Sequence, residues 1–251
     1  MVLREITTAK NIIKERGLYE LSKIIIRNLF QLVLVPYYTI KLKMINFKDN
    51  EELLNYSYNS KLGILTPCQI RSEATAFIDK VKSINPKRIM ELGTGKGGNL
   101  FLLSRSSPSD AKIISLDMRG GPYGAGYPSW KIPLLKSFKH GEQKMILVDA
   151  DSHKLETKGV IASILNKEKL DVLFIDGDHT YEGVKKDFEL YSPFVRSGGL
   201  IAFHDIVDAR KLDPTCNVDL FWNEIKYNYN HEEIIDSQNQ IWGGIGIIEQ
   251  Q

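Results

Sequence analysis

The sequence predicts an α/β domain: a doubly wound, mostly parallel seven-stranded sheet with an antiparallel last strand, preceded by an N-terminal helical extension. Three observations predict it. After Pro86, short runs rich in β-branched residues alternate with helical segments, the pattern of parallel strands joined by crossover helices. Several of these runs end on Asp or His, which puts polar side chains at the carboxyl end of a sheet. Two last short segments, Glu233 to Asp236 and Gly244 to Ile248, flank a turn and read as an antiparallel hairpin.

The elements follow in order. From Glu15 to Val35, Arg16, Glu20, Lys23, Arg27 and Gln31 form one helical stripe, with Leu18, Leu21, Ile25, Leu29 and Leu32 on another face. An apolar stripe usually packs on protein, as a core or subunit contact that would make a homo-oligomer. With bases beside it, peripheral membrane contact is the competing reading. Asn46 to Thr66 is polar and reads as a connection, and Ile70 to Ile84 reads as a helix stopped by Pro86. These features divide the chain into an extension and linker over 1–60 and a main domain over 61–251. The remaining strands are expected at Arg88 to Leu92, Lys112 to Asp117, Lys144 to Val148, Asp171 to Asp176 and Leu200 to His204. Helices are expected to start near Gly97, Ser129, Ser152, Thr180 and Val218.

Composition removes several classes. A net charge of +2 over 251 residues gives no reason to expect nucleic acid. The charge is uneven: nine basic and three acidic residues precede position 49, a local net of +6. Cys68 and Cys216 belong to no C-x-x-C pair, so neither a disulfide framework nor a structural zinc site is expected, and a cytoplasmic setting fits. The apolar stretch Ile24 to Ile40 is broken by Arg27, Asn28, Gln31 and Pro36, too short a run for a membrane span. No cleavable leader is expected.

The first chemical motif is Glu91-Leu92-Gly93-Thr94-Gly95-Lys96-Gly97-Gly98, a strand, a glycine turn and a helix start. Glycine suits such a turn because positive φ is free to it and no Cβ blocks a ligand. Gly93, Gly95 and Gly98 also satisfy the dinucleotide pattern, so the loop alone does not separate NAD from S-adenosylmethionine. Glu91 favours a cationic ligand group, which it can accept from, and would repel a pyrophosphate. Asp117, closing the next strand, is placed to hold ribose hydroxyls, and Asp151, or less readily Asp149, to accept from an adenine amino group. Each carboxylate could instead be a helix cap or solvated loop residue.

With Asp117 and Asp151 at successive strand ends, Glu91-x-Gly93-x-Gly95-x-Gly97 resembles the cofactor motifs of class I methyltransferases, a Rossmann-like superfamily. The resemblance runs from about Gln69 to the C-terminus. It implies S-adenosyl-L-methionine as cofactor, held by Glu91, Gly93, Thr94, Gly95, Gly97, Asp117 and Asp151.

The second motif is Asp176-Gly177-Asp178-His179, after the apolar Val172 to Ile175. The next strand stops at His204-Asp205. If the two strands are neighbours, Asp176, His204 and Asp205 converge as O/N ligands for a divalent cation with positions left for substrate oxygens. This arrangement resembles the metal-dependent sugar O-methyltransferases of the macrocin type and the related cephalosporin hydroxylase group. The resemblance makes Asp176 and Asp205 ligands and His179 the general base, catalytic together with Asp176. It implies a sugar or glycan-like small molecule as substrate. His204 departs from the acidic residue usual there, which suits manganese, iron or zinc better than magnesium and leaves the metal open. Asp178 is expected to cap the following helix, and His153 to cap or line its own. The tyrosine- and glycine-rich loop from Arg119 to Ser129 either closes over the acceptor or is a plain connection. A catechol-like aryl acceptor, an NAD-linked oxidoreductase and a non-catalytic scaffold are the alternatives.

Overall fold

The computed structural model describes residues 22, 30, 33–120 and 126–251. Seven strands form one sheet: β1 (Arg88–Leu92), β2 (Lys112–Asp117), β3 (Lys144–Asp149), β4 (Leu170–Ile175), β5 (Val195–His204), β6 (His231–Ile234) and β7 (Ile245–Glu249). Their order is β3-β2-β1-β4-β5-β7-β6, parallel except for β7, which pairs antiparallel with both neighbours. This is the expected Rossmann-like fold. Helices Gly98–Ser106, Ile132–Lys136, Leu155–Leu165, Tyr181–Tyr191 and Val218–Ile225 occupy the places where helices were expected.

Strand alternation divides the core between the two faces of the sheet. Ile89, Ile113, Val172, Phe174 and Ala202 bury into one layer with Phe77, Leu100 and Phe101 from helices Arg71–Ser83 and Gly98–Ser106. Met90, Ile114, Leu173, Ile175 and Phe203 bury into the other, with Ile161, Val184, Phe221 and Trp222.

The stretch read as a connection contains a helix, Asn50–Tyr58. Asp49 caps it, accepting from the Glu52 amide at 2.9 Å, and Leu53 and Leu54 bury against the first core layer. Its Asn, Ser and Tyr content masked it, while Asp49-x-x-Glu52 before two leucines was the signal available. Residues 33–41 are helical, and Val35, Tyr38 and Leu42 join the same layer. Most of the helix expected at Glu15 to Val35 lies outside the described residues. No helix among those described is long and apolar enough to cross a membrane.

Two strand bounds also differ. β5 begins five residues before Leu200, because Val195 still pairs with Leu170 through a register shift that Ser197-Gly198-Gly199 conceal in sequence. β6 lies earlier than Glu233 to Asp236, with Ile234 opposite Ile245.

The order reverses at the centre: from β1 the chain crosses outward to β2 and β3, then returns to β4 on the other side. A crevice opens at the carboxyl ends of strands on either side of such a point.

Candidate active site

A cavity of about 720 Å³ occupies that crevice. Gly93, Thr94, Gly95, Asp117, Asp151, Asp176, His179, His204 and Asp205 all line it, although they come from segments far apart in sequence. Glu91 and Gly97 do not line it.

The glycine loop is held from both sides. Gly93 has φ 80°, and a Cβ there would lie 1.9 Å from the Asp176 carbonyl oxygen. Gly95, φ 50°, faces open space. The Thr94 and Gly95 amides donate to Asp117 Oδ2 at 3.1 and 3.0 Å, and Met118 donates to Oδ1 at 2.7 Å. Asp117 therefore ties the loop to the end of β2. Burial pushes its carboxyl up despite the amides that donate to it.

Thr94 turns its hydroxyl inward to Ser115 and, at 3.1 Å, to Tyr127. Tyr127 is buried and also meets Ser115 at 2.8 Å, so this tyrosine of the Arg119 to Ser129 loop braces the domain and does not face the cavity. Residues 121–125 of that loop lie outside the described residues.

Glu91 lies beneath the loop, 1 % exposed. Asn99, which lines the cavity, donates to its Oε1 at 3.0 Å, while Oε2 is buried without a partner. Burial pushes the Glu91 carboxyl up to about 8. Gly97 caps helix Gly98–Ser106 at φ 88°, and a Cβ there would press on Leu135. It serves packing, and Gly98 reaches the cavity instead.

Asp151 accepts from the His153 amide at 2.9 Å and borders the cavity. Asp149 is engaged elsewhere, paired with Arg119 at 2.8 Å. His153 lines the cavity and stands 3.4 Å from Asp187, a carboxylate with no solvent exposure.

Beside the glycine loop the acidic strand ends meet. Register places Ile175 of β4 beside Phe203 of β5, so the residues that follow, Asp176 and His204, become neighbours. His204 Nδ1 lies 3.2 Å from Asp176 Oδ1 and 3.4 Å from Asp205 Oδ1. His179 bridges the same carboxylates, Nε2 at 3.5 Å from Asp176 Oδ1 and Nδ1 at 3.5 Å from Asp205 Oδ2. Asp205 has φ 61°, a conformation costing a non-glycine residue about 1–2 kcal/mol and concentrated at ligand sites.

The electrostatics follow from this crowding. Burial would raise the Asp176 carboxyl, but the His204 and His179 imidazoles outweigh it and hold Asp176 well below the usual carboxylate range. Burial would lower both imidazoles, and the carboxylates reverse that: His204 rises well above its ordinary value and His179 rises too.

Sequence reasoning missed Gln69, whose Nε2 donates to Asp176 Oδ2 at 3.0 Å. Two residues before a helix, it belongs to no motif. It also missed Trp130, Lys131 and Trp242 on the cavity wall. Burial pulls the Lys131 ammonium down to about 8. Thr180, rather than the expected Asp178, caps helix Tyr181–Tyr191, and Asp178 accepts from the Thr180 amide two residues on.

Asp176, His204 and Asp205 present ligand atoms within 4.8 Å of one another. Such a mostly buried, mixed O/N set fits a divalent cation by its donor chemistry.

Residues 90–206 match the family described as a methyltransferase domain. A flavonoid 3',5'-methyltransferase of Vitis vinifera is 31 % identical over 49 % of the chain and 48 % of its own length. A tapetum-specific methyltransferase of Arabidopsis thaliana is 28 % identical over 57 % of each. The chain thus spans about half the length of these curated relatives. Among solved structures, an O-methyltransferase of Bacillus cereus in complex with SAH superposes with TM-score 0.55 at 17 % identity, covering 81 % of this chain and 92 % of that one. An O-methyltransferase of Streptomyces achromogenes, involved in tomaymycin synthesis and in complex with SAM, gives 0.56 at 14 %, covering 82 % and 92 %. Residues 90–206 thus resemble a methyltransferase domain, and the chain shares the α/β fold of these O-methyltransferase structures.

Proposed function

We propose that the protein is an S-adenosylmethionine-dependent O-methyltransferase acting on a hydroxyl of a sugar or glycan-like small molecule. One observation carries the reading: Asp176, His179, His204 and Asp205 meet in the lining of a cavity that the glycine loop also lines.

The glycine loop, Asp117 and Asp151 would hold the cofactor, and Asp176, His204 and Asp205 a divalent cation, magnesium or manganese. When bound, the cation would lower the pKa of a chelated hydroxyl, and the cofactor would supply an electrophilic methyl group. His179 takes the hydroxyl proton on one ring nitrogen while the other nitrogen donates to a flanking carboxylate, Asp176 or Asp205. Both carboxylates stabilise the imidazolium so formed. Bound there, the cofactor would supply the methyl group to the deprotonated hydroxyl and keep the electron pair of its carbon–sulfur bond. The cavity walls would contribute further by positioning the acceptor hydroxyl against the cofactor's methyl group.

Methyl transfer to a panel of vicinal-diol sugars tests this, with catechols included. His179→Ala and Asp176→Ala should keep S-adenosylhomocysteine binding and lose roughly 10²- to 10⁴-fold in turnover. Near-normal turnover in both would contradict the scheme, and methylation of catechols alone would move the acceptor to the aryl class. Thermal stabilisation by NAD but not by S-adenosylhomocysteine would overturn the cofactor.

A further inference from the structure

A second ligand cluster adjoins the first. His179, Asp205 and Cys216 also place a nitrogen, a carboxylate oxygen and a sulfur within 4.8 Å of one another. They come from three segments: the turn after β4, the end of β5, and the loop leading into helix Val218–Ile225. The last of these is fixed against the first, because the Asn217 amide donates to the His179 carbonyl at 2.8 Å. The Cys216 amide in turn donates to Asp213 at 3.0 Å. Cys216 is 2 % exposed and forms no disulfide. The chemistry of the two clusters differs. Asp176, His204 and Asp205 offer only oxygen and nitrogen, whereas the second set includes sulfur, which selects zinc and other thiophilic cations over magnesium.

We propose that His179, Asp205 and Cys216 form an inhibitory site for zinc, overlapping the reaction centre through His179 and Asp205. Zinc with one sulfur, one nitrogen and one oxygen ligand would keep an open fourth position. Binding displaces the thiol proton to water and occupies a nitrogen of His179. The inhibition rests on the role given to His179 under the proposed function, whereas binding itself does not.

Cobalt(II) replaces zinc as a visible probe. Added to the full-length protein, it should produce a thiolate-to-cobalt charge-transfer band in the near ultraviolet. The band should persist in Cys68→Ser, which removes the other, exposed thiol, and vanish in Cys216→Ser. Zinc should inhibit methyl transfer, and Cys216→Ser should raise the inhibitory concentration at least about tenfold, since losing even an outer partner of a metal ligand costs that much. Absence of the band from the wild type, or its retention in Cys216→Ser, overturns the site. Equal zinc inhibition of both proteins overturns the inhibitory role. A band that behaves as expected in a protein that methylates nothing would sustain the site and refute the proposed function.

Discussion

Gly93 and Asp176 touch backbone to backbone: the Cβ that Gly93 lacks would fall 1.9 Å from the Asp176 carbonyl oxygen. The end of β1 and the end of β4 are thereby locked together, so the glycine loop and Asp176 cannot move independently. The Asp176 amide reinforces this by donating to Leu92 at 2.8 Å.

Gly93→Ala should therefore destabilise the whole domain, by on the order of 3 kcal/mol or more, since backbone must shift at a positive-φ position. Gly95→Ala meets no atom within 4 Å, and should cost only about 1–2 kcal/mol for its left-handed φ while crowding the cavity. Urea unfolding with S-adenosylhomocysteine titration separates the two. Equal stability losses would show that the close approach does not exist.

Glu91 predicts a pH dependence of stability. Its folded value, about 8, lies above the ordinary 4.5. Between those values the unfolded chain has released a proton that the folded chain keeps, so stability falls as pH rises through this window and levels off above it. Glu91→Gln should remove that slope, raising the melting temperature more at about pH 8 than at about pH 5. Parallel curves for variant and wild type would place the Glu91 carboxyl in water.

Tyr127→Phe addresses the loop after β2. With its hydroxyl shared between Thr94 and Ser115, the substitution should lower stability by about 1–2 kcal/mol and leave the acceptor KM unchanged. A raised KM with unaltered stability would return Tyr127 to the acceptor face.

What was legible in sequence followed physical rule. The central strands could be read because they are apolar runs with buried side chains, as with Val172 to Ile175, whereas β6, His-Glu-Glu-Ile with only Ile234 buried, lacks that signal and lies two residues before its expected place. The convergence of Asp176, His204 and Asp205 followed from parallel neighbours ending level, a consequence of topology. Gln69 was illegible because its contact spans 107 residues and leaves no local pattern. The depth of Glu91 was equally hidden: spacing places it before the loop, and only packing decides that Asn99 rather than Glu91 borders the cavity. Helix Asn50–Tyr58 was obscured by composition, although its cap was written at Asp49 and Glu52.

The central claim is that two strand ends and the glycine loop build one reaction centre. Anomalous diffraction from crystals grown with manganese and S-adenosylhomocysteine tests it most directly. The account predicts a manganese peak ligated by Asp176, His204 and Asp205, with the homocysteine sulfur between Gly95 and His179. A peak elsewhere, or a cofactor bound away from the glycine loop, would contradict it.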